Sequence, residues 1–187
     1  MRIAVTPLAI PDALLICPER VGDARGFFSE VFNKARLAEY GVDFSPVQEN
    51  LAFNAEAGVV RGLHAQPPPY AQAKLVRAAK GSIVDVLVDA RVGSSTFGRC
   101  VTVELSAETG DQVFIPAGCL HGYATREANS EVIYLVDAPY EPRGEICVRW
   151  DDAALGIDWG LKAGEAQLSA KDRAAHGWAA FQSPFRF

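Results

Sequence analysis

From Lys74 to Arg149 the chain breaks into short β-prone runs separated by glycine and proline turn signals, and few architectures are open to a chain patterned this way. The clearest run is Ile83–Asp89: Val84, Val86 and Val88 fall on one face, Asp85 and Asp89 on the other. Lys74–Ala78, Cys100–Leu105, Gln112–Ile115, Glu131–Asp137 and Ile146–Arg149 read as further strands. Lys80-Gly81, Thr109-Gly110-Asp111 and Pro116-Ala117-Gly118 mark turns between them. Many short strands at this spacing predict an all-β sandwich or barrel. Helix is expected only at the flanks. Asn33–Tyr40 has an N-cap residue in Asn33 and a stop in Gly41, and a C-terminal segment over about 165–187 starts its helix near Ser169–Arg173.

A length of 187 residues, with no internal repeat and no linker, predicts one domain over 1–187. The net charge of -5 argues against a nucleic-acid partner, yet leaves room for a local arginine cluster that grips one diphosphate. No apolar run is long enough to span a bilayer, and the N-terminus lacks the pattern of a signal peptide, so no membrane partner and a cytoplasmic location are expected. Cys17, Cys100, Cys119 and Cys147 are widely scattered and read as small buried apolar residues rather than a disulfide or zinc framework.

Histidine is the side chain best suited to proton transfer near neutral pH, and the chain has three: His64, His121 and His176. Gly110-x5-Pro116-x-Gly118-x2-His121 resembles the second cupin motif, in which a hairpin delivers a histidine to the mouth of a jelly-roll barrel. The first cupin motif carries a His-x-His pair with a nearby Glu. The corresponding region, Gly62 to Gly81, offers His64 alone, which implies a cupin barrel without a metal.

Several further segments, in order, are similar to one family: Gly22-Asp23-Ala24-Arg25-Gly26-Phe27-Phe28-Ser29-Glu30, Val47-Gln48-Glu49-Asn50, Arg61-Gly62-Leu63-His64 and Lys74-Leu75-Val76-Arg77. Ser95-Thr96-Phe97-Gly98, Leu105-Ser106-Ala107-Glu108, Ile115-Pro116-Ala117-Gly118 and His121-Gly122 continue the series, which Trp150-Asp151-Asp152, Leu155–Trp159 and Leu168–Asp172 complete. Together they resemble the dTDP-4-dehydrorhamnose 3,5-epimerases and their relatives acting on other 4-keto sugar nucleotides.

The resemblance implies a cupin-type jelly roll, a dTDP-linked 4-keto-6-deoxyhexose as substrate, a homodimer and no cofactor. It implies His64 as base, Asp172 as the carboxylate that orients it, Tyr134 as the acid on the opposite face and Lys74 as enolate stabiliser. It further implies substrate contacts from Arg25, Phe28, Glu30, Gln48, Asn50, Arg61, His121, Tyr140, Glu145 and Lys171.

By the residues alone, each role has a rival. Asp172 also completes a Ser169-x-x-Asp172 capping box. Tyr134 alternates with Val132 and Val136 and suits a core position, Lys74 suits a solvated strand edge, and His121 suits a turn satisfied by backbone. A non-catalytic sugar-nucleotide-binding cupin would not bring His64 and Tyr134 to one cavity. Strict alternation would put Arg61 and His64 on opposite strand faces, so both reach one ligand only if the strand bulges or Arg61 serves a neighbouring site. Ala65 stands where the family has an aromatic residue, and Gln66-Pro67-Pro68-Pro69-Tyr70-Ala71-Gln72-Ala73 replaces a glycine-containing loop. Leu135 stands for the family's lysine, and Pro139-Tyr140 for its tyrosine pair.

Overall fold

In a computed structural model, which describes residues 1–162 and 164–187, thirteen strands account for most of the regular structure. They are β1 (Ile3–Pro7), β2 (Leu14–Pro18), β3 (Val21–Asp23), β4 (Gly26–Phe28), β5 (Gln48–Asn54), β6 (Val60–Ala65) and β7 (Lys74–Lys80). After them come β8 (Ser82–Asp89), β9 (Cys100–Ser106), β10 (Gln112–Ile115), β11 (Cys119–Thr125), β12 (Ser130–Val136) and β13 (Ile146–Cys147). A six-stranded antiparallel sheet runs β1-β2-β10-β7-β12-β5, and a five-stranded one runs β13-β6-β11-β8-β9. The hairpin β3–β4 stands apart from both.

The alternation that marks these strands in the sequence becomes a core with three layers. Between the two sheets, Val76, Val113, Ile115 and Val132 meet Ile83, Leu87, Leu105 and Tyr123. The Val84, Val86 and Val88 face of β8 points the other way and is covered by Leu155, Trp159 and Phe185 from the C-terminal segment. A third cluster covers the outer face of the larger sheet with Leu37, Val42 and Phe44. Both faces of β8 are therefore buried, and its two aspartates lie inside with no exposure. A buried carboxylate needs partners. His121 supplies one to Asp85, at Oδ1, and Arg91, Ser94 and Thr96 supply them to Asp89.

The flanking helices are short. α1 (Lys34–Ala38) is capped by Asn33, whose side chain accepts from Arg36 N, and the chain leaves it through Gly41 at φ +79°, as the sequence predicts. α2 (Ala170–Arg173) starts at Ser169 as expected, but it makes a single turn. The helical segment expected over about 165–187 is otherwise extended apart from a 3-10 turn at Trp178–Ala180. Gly177 and Pro184 interrupt helix there, and the chain instead bridges the sheet at Val148–His176 and Val92–Arg186. The four cysteines are free, and of these only Cys119 is fully buried, a correction to the expectation that all four are. Among the described residues, no helix is long and apolar enough to cross a membrane.

Candidate active site

Strands from both sheets open at one end onto a cavity of about 800 Å³. β5 contributes Gln48 and Asn50, β6 contributes Arg61 and His64, β7 contributes Lys74, β11 contributes His121 and β12 contributes Tyr134. Tyr140, Glu145, Lys171 and Asp172 close the rim from the later loops and α2. His64 and Tyr134 therefore share one cavity, contrary to the binding-only alternative. The size suits a ligand of nucleotide-sugar dimensions.

The common facing of Arg61 and His64 has a structural cause. On β11, His121 pairs with His64 and Tyr123 with Arg61, so three steps along β6 match two along β11. The strand carries one extra residue, a β-bulge, which returns both side chains to the same side. Gly62 makes it possible: its φ is +126°, and a Cβ there would lie 2.6 Å from the Gly122 Cα and 2.7 Å from the His121 carbonyl oxygen. Asn54 then fixes Arg61, accepting from its Nε at 2.9 Å.

His64 Nε2 lies 2.5 Å from Asp172 Oδ1, and Asp172 Oδ2 accepts from Ser169 Oγ at 2.8 Å. Ser169 Oγ in turn accepts from Asp172 N at 3.1 Å, so the helix cap and the histidine–carboxylate pair share one residue, although Asp172 reaches the Ser169 hydroxyl and not the backbone N–H that a full capping box would use. Cys147, paired with His64 across β13 and β6, directs its thiol at the same Oδ1 from 3.5 Å. Burial would raise the Asp172 pKa, but the hydrogen bonds and charge of His64, with Ser169 and Cys147, outweigh it and hold the carboxyl below its ordinary value. The imidazole, thiol and carboxylate atoms lie within 4.8 Å of one another. Burial, then Asp172, push the thiol up to about 12, so it keeps its proton and donates to the carboxylate.

Lys74 is buried, which pushes its ammonium down to about 8 against the pull of Asp85 and Glu145. It is not the solvated edge residue that the bare sequence allows. His121 Nε2 lies 2.7 Å from Asp85 Oδ1. Burial lowers its pKa more than Asp85 raises it, so the ring tends to neutrality. Burial likewise raises the Tyr134 pKa, and the phenol keeps its proton at neutral pH.

At the rim, Lys171 Nζ pairs with Glu145 Oε2 at 2.5 Å, and Tyr140 donates to the same oxygen at 3.2 Å. Three expected contact residues stay outside the cavity of this chain. Arg25 and Phe28 lie on or beside the β3–β4 hairpin with Arg25 bound to Asp23, its side chain 90% exposed, and Phe28 71% exposed. Glu30 is taken up by Arg36 at 2.9 Å.

The sequence reading missed Asp85 as a site residue because strand alternation shows only that it opposes the valines. Gln66 and Gln72 also line the cavity, and their loop position gave no periodic signal. Among the described residues, the buried side-chain polar atoms without a hydrogen-bond partner are Gln66 Nε2 and Asp85 Oδ2.

Comparison with known proteins agrees with this geometry. The family described as dTDP-4-dehydrorhamnose 3,5-epimerase matches residues 7–180. The chain is 46% identical to the dTDP-4-dehydrorhamnose 3,5-epimerase of Sinorhizobium fredii over 88% of its length and 84% of that protein. It is 45% identical to the Pseudomonas aeruginosa enzyme of the same name, covering 93% of this chain and 95% of that one. The crystal structure of the Legionella pneumophila dTDP-6-deoxy-D-glucose-3,5-epimerase in complex with dTDP-4-keto-L-rhamnose superposes with a TM-score of 0.94 at 36% identity, over 100% of this chain and 99% of that one.

Proposed function

The chain belongs to the dTDP-4-dehydrorhamnose 3,5-epimerase family, and from that premise we propose that it inverts C3 and C5 of a dTDP-linked 4-keto-6-deoxyhexose by proton transfer through an enolate. The observation that carries the reading is the convergence of His64, Tyr134 and Lys74 on one cavity. A C4 ketone acidifies the hydrogens on C3 and C5. Inversion needs a base on one face, an acid on the other and positive charge or donors at the enolate oxygen, and neither a redox cofactor nor a metal.

His64 is the base in this reading. Asp172 accepts from Nε2–H, which leaves the lone pair on Nδ1, and stabilises the imidazolium once Nδ1 takes the carbon-bound proton. Lys74 offsets the charge that moves onto O4. Tyr134, still protonated, delivers a proton to the opposite face of the planar carbon. One inversion leaves His64 protonated and Tyr134 deprotonated, and exchange with water resets both. Repeating the cycle at the second carbon needs only a shift of the ring. Arg61 and Lys171 suit the diphosphate, Tyr140 the pyrimidine, and Gln48, Asn50 and Glu145 the polar edges of the nucleotide.

A homodimer completes the site. The exposed hairpin leaves Arg25 and Phe28 outside its own cavity, and the free β5 edge, at the other end of the six-stranded sheet from β1, leaves Leu51 and Phe53 more than half exposed. A second copy docked there would cover the apolar surface and receive the hairpin. Mixing a His64→Ala chain with an Arg25→Ala chain and measuring recovered turnover tests this. The reaction is tested by incubating the protein with dTDP-4-keto-6-deoxyglucose in deuterated water and following C3 and C5 by NMR. Deuterium at both carbons supports the double epimerase, and at one alone a single-site enzyme. No exchange overturns the reading. A cytoplasmic location, where sugar nucleotides are made, goes with this function.

A further inference from the structure

Gln66 is 4% exposed and lies one residue beyond β6, on the same parity as His64, in the wall of the cavity. Its amide orientation is determined. Oε1 accepts from Glu141 N at 3.0 Å, and exchanging the two ends of the amide would set NH2 against a backbone N–H. The end left over is therefore the donor, and Nε2 is buried without a partner. A buried amide donor left unpaired is destabilising, a cost that an aliphatic side chain of similar size would avoid.

The residues around this donor say what kind of group it lacks. An unpaired N–H wants an acceptor, and Arg61 and Lys74 bring further donors, not acceptors, into the same cavity. The 138–141 segment hangs from three cavity-lining glutamines. Gln72 Nε2 donates to Ala138 O at 2.8 Å, Tyr140 N donates to Gln48 Oε1 at 3.2 Å, and Glu141 N donates to Gln66 Oε1. Tyr140 sits at the rim within this segment, at the place suited to the nucleoside, whereas Gln66 sits two residues from the imidazole that faces the sugar.

We propose that Gln66 determines specificity for the hexose, its free amide N–H donating to a hydroxyl or ring oxygen of the sugar while its carbonyl holds the Tyr140 segment at the nucleoside end. This rests on the epimerase reading above. One amide thus spans the two halves of the ligand. It favours sugar nucleotide over free nucleotide, because only the sugar supplies the missing acceptor.

The test compares wild type with Gln66→Glu, which keeps an oxygen for Glu141 N and removes the donor. The expected result is a ~10–100-fold fall in kcat/KM on dTDP-4-keto-6-deoxyglucose, with the affinity for dTDP alone within ~2-fold of wild type. A second arm uses the wild-type protein with substrate analogues that each lack one hexose hydroxyl or replace the ring oxygen by CH2. One analogue should lose a similar factor in wild type and lose nothing further in Gln66→Glu. Unchanged kcat/KM in Gln66→Glu, or an equal loss of dTDP affinity, overturns the proposal. If Gln66→Glu does not fold, the analogues decide alone, and a series in which none loses more than ~3-fold overturns it. Wild-type protein that exchanges neither the C3 nor the C5 proton overturns the epimerase reading and the role of Gln66 with it. Turnover by wild type with no effect in either arm overturns only the latter.

Discussion

His64 and Asp172 are 108 residues apart in the chain and 2.5 Å apart in the fold, Nε2 to Oδ1. The carboxylate also completes the cap of α2 through Ser169, so the helix start and the base are built from the same atoms. Asp172→Asn preserves the shape but offers an amide that can donate to Nε2, which moves the ring proton to Nδ1 and blocks the base. Turnover should fall by ~10³ or more, with thermal stability changed far less. Steady-state kinetics beside a melting curve checks this, and an equal collapse of both would make Asp172 a structural residue only.

Tyr134→Phe separates the two faces of the reaction. With His64 intact, the carbon-bound proton is still removed and returned on the same side, so deuterium should enter the substrate without inversion. Net epimerisation should drop by ~10²–10⁴, the usual contribution of a positioned general acid. NMR of substrate recovered from deuterated water reads both quantities in one sample. Inversion at the wild-type rate would remove Tyr134 from the mechanism.

Lys74 gives the activity an alkaline limb. Burial depresses its pKa to about 8, so below that pH the ammonium is charged and can offset the enolate, and above it the cation is lost. A profile of kcat/KM against pH should therefore fall as pH rises through about 8. Lys74→Arg, which stays charged throughout, should lose that limb even if its turnover is lower. A limb unchanged in the arginine variant would assign it elsewhere.

The sheets were legible because alternation and turn residues are local. Ile83–Asp89 and Gln112–Ile115 form strands where the spacing predicts them, and Asn33 caps α1. Ile3–Pro7 and Leu14–Pro18 carried no clean period, and they become strands by pairing with each other and with β10. Short capping signals at Ser169 predicted the beginning of a helix but not its length, which tertiary packing against β6 and β13 decides. At the site, the proton-transfer residues were legible through motifs. Asp85 was not, since its role follows from a diagonal contact with His121 between β8 and β11, where the register pairs Asp85 with Tyr123, and no local pattern encodes such a contact.

Asp89 anchors the end of the chain. Burial works against its charge, but Arg91, Ser94 and Thr96 donate to it and bring its pKa down to about 2. Arg91 reaches on to Asp12 and Pro11 and lies over the Phe187 ring. Because the folded value is lower than the ordinary 3.8, the stabilisation is present above that pH. It is lost as pH falls toward about 2, and amounts to about 2 kcal/mol. Asp89→Asn leaves the guanidinium buried without its charge partner and should cost about 3 kcal/mol at pH 7. Urea unfolding of both proteins at pH 7 and near pH 3 checks the sign, since the gap between them should narrow in acid.

Gly62→Ala tests the geometry that everything at the site depends on. A methyl group at this position would meet backbone at Gly122 and His121, where nothing flexible can give way, and it would have to adopt a positive φ. Two outcomes are open to the strand. It can keep the bulge and lose at least ~3 kcal/mol of stability, or it can restore regular pairing with β11 and turn Arg61 away from the face that holds His64. In the second case turnover falls while the melting temperature recovers, and the loss appears as a raised KM together with a lowered kcat, because the diphosphate grip and the base are displaced together. Kinetics and melting temperature measured on the same preparation distinguish these, and a variant unchanged in both would show that the bulge does not set the active site.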